Sequence, residues 1–134
     1  MMKKWVKQWL GPADGAAGPV EDSFPWIPLE DADQLEDFEK KGAPSVRVVF
    51  KHSTRCGLSA MMLRRFEATW AGRAPDMDFY LLDLVRYRQL SDALAHRFEL
   101  GHQSPQVLII RQGTLVGSAS HGDIAGLKPG DYQE

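Results

Sequence analysis

The sequence predicts one α/β domain, a three-layer sandwich in which a central mixed β-sheet is flanked by helices. From residue 24 onward, stretches with the pattern of a buried strand alternate with stretches that have the period of an amphipathic helix. The connection between the first two long strands carries a helix, which requires those strands to be parallel. The last two strands are separated only by Gln112-Gly113, a hairpin signal, so they are antiparallel and the sheet is mixed.

Length and composition exclude several classes of protein. The chain has 134 residues, enough for one compact domain with a core and too few for two. Hydrophobic residues make up 43% and charged residues 25%, which is typical of a globular protein and not of a disordered chain. The net charge of -2 disfavours nucleic acid as a partner. No apolar run reaches the roughly 18 residues of a membrane span, and Lys7 interrupts any signal-peptide core. We therefore expect a cytoplasmic protein.

The folded domain is predicted to cover residues 24–134, after an N-terminal segment and linker at residues 1–23. Residues 11–19 are rich in Gly, Ala and Pro and hold no large apolar side chain, as expected of a linker. Before the linker, Trp5 and Trp9 would share one face of a short helix. Two interpretations of that helix stay open: weak binding to a membrane surface, or a terminal helix that is frayed or docked on its own domain.

The elements of the first half follow from local patterns. Residues 26–29 (WIPL) form a short extended strand, and Asp31 then caps a helix that ends before Gly42. Residues 45–51 (SVRVVFK) are β-branched and apolar enough for a buried strand. From residue 56 to about 70 the apolar residues recur at helical spacing, which predicts an amphipathic helix.

The second half repeats this alternation and ends in the hairpin. Its predicted elements are a strand at 78–84 (DFYLLDL), a helix at 90–98 closed by Gly101, strands at 105–111 (PQVLIIR) and 114–120 (TLVGSAS), and a short last helix at 123–127.

The end of the strand at 45–51 is the place where chemistry is expected. Ligands of open sheets bind beyond the carboxyl ends of parallel strands. Cys56, the single cysteine of the chain, would stand in the first turn of the next helix, where unpaired N–H groups and the helix dipole favour a thiolate. Arg55 adds a positive charge beside it, and Ser59, three residues on, is placed to donate a hydrogen bond to the sulfur. The alternative is a buried cysteine that only fills space, which the polar neighbours of Cys56 disfavour.

A second segment is distant in sequence and expected to lie near in space. Residues 102–106 (HQSPQ) come directly before a strand, and Pro105 at the start of that strand removes a donor where none is needed. A cis bond between Ser104 and Pro105 would keep the backbone of Ser104 exposed for pairing with an extended substrate, but spacing leaves both isomers open.

Together these features resemble the thioredoxin fold: a strand, a loop, a cysteine at a helix start, a proline before a later strand and a closing hairpin. More closely, the chain is similar to the monothiol bacilliredoxin family of the YtxJ type over about residues 24–125. The motifs that carry the resemblance are residues 50–59 (FKHSTRCGLS), 82–84 (LDL), 104–107 (SPQV) and 119–121 (ASH).

The resemblance implies a thioredoxin-like protein that removes bacillithiol, a low-molecular-weight thiol, from mixed disulfides on other proteins. It implies that Cys56 is the reactive cysteine and that Pro105 is a cis-proline facing it. The family usually has proline directly after the cysteine, where this chain has Gly57. Glycine loosens the first turn and leaves an additional N–H free to approach the sulfur.

With one sulfur in the chain, the implied mechanism is monothiol exchange. The Cys56 thiolate attacks the outer sulfur of a protein–bacillithiol disulfide, the protein leaves as a thiolate, and bacillithiol stays on Cys56. A low-molecular-weight thiol or another redox protein must then resolve the adduct. The expected partners are thus bacillithiolated proteins and a reductant, with bacillithiol as co-substrate and no bound cofactor. The expected substrate-binding residues are Thr54, Arg55, Gly57, Ser59, Ser104 and Pro105.

Two other functions stay open. One is a thioredoxin-fold binding or adaptor module whose thiol is incidental, and the other is a redox sensor without turnover that forms a stable sulfenic acid at Cys56. Fast alkylation of Cys56 near neutral pH would favour exchange chemistry over the adaptor.

The histidines are not expected to take part in catalysis. His52, His102 and His121 are interpreted as loop histidines and not as partners in a thiol hydrolase. One Cys with four His also predicts no metal site.

Overall fold

A computed structural model describes residues 24–42, 44–72 and 77–132 of the chain. The predicted segment at residues 1–23 lies outside the described residues.

Five strands form one mixed sheet in the order β1-β3-β2-β4-β5. β3 lies between β1 and β2 and is parallel to both, whereas β4 is antiparallel to β2 and to β5. The strands are β1 Trp26–Pro28, β2 Val46–His52, β3 Met77–Asp83, β4 Gln106–Arg111 and β5 Thr114–Ser120. The predicted parallel crossover and the closing hairpin are both confirmed.

Within the described residues, two α-helices and three 3₁₀ helices accompany the sheet. They are α1 Gly57–Trp70, α2 Arg88–Arg97 and 3₁₀ helices at Ala32–Glu39, His121–Gly126 and Pro129–Asp131. Asp31 is the N-cap that the sequence predicts: its side chain accepts the N–H of Asp33 at 2.9 Å, while the side chain of Gln34 accepts the N–H of Asp31 at 3.0 Å. The last predicted helix is a 3₁₀ turn that begins two residues earlier than expected.

The end of α2 differs from the prediction that Gly101 closes it. The left-handed residue is Glu99, with φ 52°. Its N–H donates to the carbonyl of His96 at 3.2 Å, and the N–H of Leu100 donates to the carbonyl of Ala95 at 3.0 Å. These two bonds form a Schellman cap with a non-glycine residue at the left-handed position.

The core is divided by the sheet into two halves. On one face, α1 and the 3₁₀ helix His121–Gly126 cover a cluster that contains Phe50, Phe66 and Trp70. On the other face, α2 and the first 3₁₀ helix supply Leu94, Leu35 and Phe38 to the second cluster. Because helices cover both faces, β2 is buried from Val46 to Lys51. The carboxyl end of β2 therefore emerges from a rigid core, and this end positions the site.

The hairpin between β4 and β5 has the turn that its sequence predicts. Gln112 and Gly113 have φ values of 50° and 84°, and positive values at both central residues are what a type I′ turn requires.

Candidate functional site

Cys56 stands at the start of α1, directly after the turn that follows β2. It is the N-cap residue, with extended backbone (φ −121°, ψ 121°), and its carbonyl accepts the N–H of Ala60 at 3.2 Å. The thiol is free and the residue is half-buried. Cys56 belongs to neither core cluster, so the alternative of a cysteine that only fills the core does not describe its position.

The amino end of α1 is electrostatically suited to an anion. The helix has 14 residues, its N-cap side chain makes no capping hydrogen bond, and its first turn holds no acidic residue. The partial positive charge of the first N–H groups is therefore not neutralised by a side chain of the helix itself. The thiol of Cys56, the N-cap residue, lies at this positive end of the helix.

The turn that carries Cys56 is held by hydrogen bonds to Ser53. The carbonyl of Ser53 accepts the N–H of Cys56 at 3.2 Å, and its hydroxyl accepts the N–H of Arg55 at 3.3 Å. The N–H of Ser53 in turn donates to the hydroxyl oxygen of Ser59 at 3.0 Å. The turn is thus tied to the first turn of α1 by the Ser59 side chain.

The expectation that Ser59 donates to the sulfur is wrong. Ser59 is completely buried, and its hydroxyl oxygen lies 2.7 Å from Nδ1 of His52. The same hydroxyl also accepts the N–H of Ser53, so both of these partners lie on the β2 side. The pattern of the sequence shows that Ser59 shares the first turn with Cys56, but not the direction in which its hydroxyl points.

His52 is the functional candidate that sequence reasoning undervalued. It is the last residue of β2, pairs with Asp83 of β3, and accepts the N–H of Leu84 on its carbonyl at 3.0 Å. Burial lowers the pKa of His52 below its usual value, and the nearby carboxylate of Asp83 opposes this effect. The imidazole is therefore neutral near pH 7 and can accept a proton at one nitrogen.

The Ser104–Pro105 segment lies at the same edge of the sheet as the cysteine turn. β2 and β4 are antiparallel, and their pairing ends at Lys51 with Gln106, so the residues after β2 and those before β4 leave the sheet together. The Ser104–Pro105 bond is cis, as the resemblance implies. Pro105 is buried, and its carbonyl accepts the N–H of His121 at 3.0 Å.

The other predicted site residues differ in accessibility. Thr54, Arg55 and Gly57 are exposed around the half-buried cysteine, and Ser104 is half-buried. A Cβ on Gly57 would meet no atom within 4 Å, so steric crowding is not the reason for glycine at this position. The structure thus brings the predicted residues to one edge of the sheet, while Ser59 faces inward.

A buried cation lies directly behind this edge. Lys51 is completely buried on the α2 face, and its ammonium donates to the carbonyl of Ser91 at 3.1 Å. Burial lowers the pKa of Lys51 to about 8, and the carboxylate of Asp92 opposes this effect. No sequence pattern reveals this, because a lysine next to the end of a strand ordinarily reaches solvent.

A small cavity opens beside the site, at the ends of β1 and β3. It has a volume of about 210 Å³, and its largely apolar lining includes Trp26, Leu81 and Tyr87, with the acidic residues Glu30 and Asp83 also in its wall. This composition suits an apolar or cationic group better than an anion.

The described residues contain neither a cluster of metal ligands nor a helix that could span a membrane. No group of three or more His, Cys, Asp or Glu within residues 24–42, 44–72 and 77–132 is arranged to hold a metal ion. Within the same ranges, no helix has the length and apolar character needed to cross a membrane.

Comparisons with known proteins agree on fold and family. A family model described as monothiol bacilliredoxin BrxC matches residues 27–128. A solved structure described as a thioredoxin-fold protein with a proposed oxidoreductase activity is 34% identical, with a TM-score of 0.66, and the match covers 75% of this chain and 86% of that one. A thioredoxin from Malassezia sympodialis is 18% identical, with a TM-score of 0.58 and coverage of 74% and 81% of the two chains. A thioredoxin from Trypanosoma brucei brucei is 16% identical, with a TM-score of 0.60, and the match covers 79% of this chain and 88% of that one.

Proposed function

Because this chain belongs to the monothiol bacilliredoxin BrxC family and has a thioredoxin fold, we propose that it is a thiol–disulfide oxidoreductase that removes bacillithiol from mixed disulfides on other proteins. The observation that carries the proposal is the position of Cys56. It is a free, half-buried thiol at the uncapped start of a 14-residue helix, on the sheet edge that also bears the cis Ser104–Pro105 bond.

The proposed step exchanges one disulfide for another. The Cys56 thiolate attacks the bacillithiol sulfur of a protein–bacillithiol disulfide, so the bond between Cys56 and bacillithiol forms as the old sulfur–sulfur bond breaks. The electron pair of that bond leaves on the sulfur of the substrate protein, which then takes a proton from solvent. No net oxidation occurs, because one disulfide and one thiolate stand on each side of the reaction.

The adduct on Cys56 requires a second reaction with another molecule. The chain holds one cysteine, so no internal thiol can release bacillithiol. A free low-molecular-weight thiol or the thiol of another redox protein would attack the adduct and regenerate Cys56. This chemistry needs a reducing compartment, which is the reason to propose the cytoplasm as its location.

The exposed residues around the thiol suggest how the mixed disulfide would be held. Arg55 and Thr54 lie on the solvent side of the turn and can bind acidic groups of the small thiol. The backbone of Ser104 is proposed to pair with the extended chain of the substrate protein. The carboxylates of Glu30 and Asp83 in the neighbouring cavity disfavour an anion there, so the acidic groups are expected on the Arg55 side.

The test is transfer of bacillithiol to Cys56. A protein that carries a bacillithiol mixed disulfide is incubated with the wild-type chain and with Cys56→Ser, and the intact masses of both partners are measured over time. The proposal expects a bacillithiol adduct on the wild-type chain, release of the substrate thiol, and neither product with the variant. A second incubation uses the same protein with a glutathione mixed disulfide.

The outcomes separate the candidate functions. Transfer from the glutathione disulfide alone would replace the proposal with a glutaredoxin-like role. A wild-type chain that forms no adduct with either disulfide, and whose thiol alkylates slowly near neutral pH, would instead favour the adaptor. A sulfenic acid that persists after peroxide treatment, without transfer, would favour the sensor.

A further inference from the structure

A buried hydrogen-bond link connects the last residue of β2 with the turn that carries the thiol. Nδ1 of His52 lies 2.7 Å from the Ser59 hydroxyl oxygen, and the same oxygen accepts the N–H of Ser53 at 3.0 Å. Ser53 then holds Cys56 through its carbonyl at 3.2 Å. The link therefore runs from a rigid strand through one serine hydroxyl to the backbone of the cysteine turn.

The donors and acceptors available at Ser59 determine which group donates to which in this link. The Ser59 hydroxyl has one proton to donate and is completely buried, so that proton needs an acceptor within the protein. Of the described residues, the partners found for this hydroxyl are the Ser53 N–H, which is a donor, and His52 Nδ1. Because burial lowers the pKa of His52, its imidazole is neutral near pH 7 and Nδ1 is free to accept. The ring proton is then on Nε2.

His52 is itself held in place by its neighbours. Its carbonyl accepts the N–H of Leu84 at 3.0 Å, its ring lies 6.4 Å from that of Phe50, and Asp83 is its partner in the neighbouring strand. The carboxylate of Asp83 is itself engaged, since it accepts the N–H groups of Val85 at 3.1 Å and Arg86 at 3.4 Å. The acceptor nitrogen is thus placed by β2, β3 and the turn after β3.

We propose that His52 is a positioning residue for thiol–disulfide exchange: acting through the Ser59 hydroxyl, it holds the turn at residues 53–56 and thereby keeps the Cys56 thiol at the amino end of α1. The role in thiol–disulfide exchange rests on the proposed function, whereas the positioning of the thiol can be tested without it. Without His52 the Ser59 hydroxyl loses its acceptor, and without Ser59 the Ser53 N–H loses its partner, so that in either case the turn is free to move away from the helix end.

The experiment is a double-mutant cycle with the alkylation rate of Cys56 as its readout. Rate constants with iodoacetamide are measured for the wild type, His52→Leu, Ser59→Ala and the double variant, near neutral pH and at strongly alkaline pH. Each single change is expected to slow alkylation near neutral pH by about fivefold, the factor that corresponds to one neutral hydrogen bond. The double variant is expected to be no slower than Ser59→Ala, because both changes break the same link.

Three further measurements distinguish positioning from simple loss of structure. At strongly alkaline pH, where every thiol is ionised, the four proteins are expected to react at similar rates. His52→Asn, whose amide oxygen can replace Nδ1 as an acceptor, is expected to restore most of the rate near neutral pH. His96→Asn, on the exposed side of α2, serves as the matched control and is expected to react like the wild type.

Several results would overturn the proposal. Additive effects, giving a double variant slower by about 25-fold, would mean that the two side chains act separately. A wild-type rate in His52→Leu, or faster labelling of that variant at every pH, would mean that the histidine does not position the thiol or only maintains the fold. Should His52→Leu fail to fold, the cycle is completed with His52→Gln, whose amide lies too far from the main chain to replace Nδ1.

The test also separates this inference from the proposed function. Iodoacetamide needs neither bacillithiol nor a substrate protein. Non-additive effects of the two substitutions, together with no bacillithiol transfer, would overturn the proposed function and support the positioning role. Additive effects together with normal transfer would overturn the positioning role and support the proposed function.

Discussion

Replacement of Lys51 by methionine is expected to change how the stability of the protein depends on pH. The lysine is completely buried, and its ammonium donates to the carbonyl of Ser91 at 3.1 Å. Burial lowers its pKa from 10.5 to about 8. Methionine has a similar length, fills the same space and carries no charge to desolvate.

The size of the effect follows from the difference between the two pKa values. The shift from 10.5 to about 8 corresponds to about 3 kcal/mol, at about 1.4 kcal/mol for each pKa unit. Because the pKa is lower in the folded protein, the unfolded chain binds more protons between pH 8 and 10.5, and stability rises with pH in that window. Below the window both states are protonated, and the wild type carries the full cost of the buried charge.

The assay is urea unfolding of both proteins at a series of pH values, followed by tryptophan fluorescence. Lys51→Met is expected to be more stable near pH 7 by about 2 kcal/mol, since it avoids the cost of about 3 and loses one hydrogen bond worth about 1. This advantage should disappear as the pH approaches 10.5. Burial raises the pKa of Tyr80 to about 12, so the titration of Tyr80 lowers the stability of both proteins at alkaline pH. This effect is the same in both proteins and cancels when their stabilities are subtracted. Parallel stability curves for the two proteins would refute the reasoning, because they would show that Lys51 titrates alike in both states.

Three further substitutions test the fold around the site. Asp31→Ala removes the side-chain acceptor of the N-cap but leaves the bond from the Asp31 N–H to the Gln34 side chain, and it should cost about 1 kcal/mol in urea unfolding; an unchanged midpoint would show that the cap is not formed. Phe66→Ala, at a side chain that is 2% exposed and stacks on Trp70, should cost about 3–5 kcal/mol by the same assay, and a loss below about 1 would contradict the packing described here. Gly113→Ala, at φ +84° and with its new Cβ 3.1 Å from a carbonyl oxygen, should cost about 1–3 kcal/mol. Gly101→Ala, in open space, is its control, and an equal effect in both variants would contradict a turn-specific cause.

The site was predictable to the extent that it depends on neighbours in the chain. Cys56 comes between a β-branched strand and an amphipathic helix, so its place at a helix start follows from local periodicity. The proximity of Pro105 follows less directly, since it depends on the pairing of β2 with β4. The spacing of residues in one sequence does not contain that pairing, and the resemblance to a family implies only that Pro105 faces Cys56.

Local sequence patterns predict the order of strands and helices along the chain, the cap at Asp31, the turn at Gln112-Gly113 and the location of the single thiol. Each of these depends on the side-chain period or backbone preference of a few adjacent residues. The direction of the Ser59 hydroxyl towards His52 and the burial of Lys51 under α2 are instead set by tertiary packing. Those contacts join different elements, and their direction is set by how helices pack on the two faces of the sheet, which no local pattern encodes.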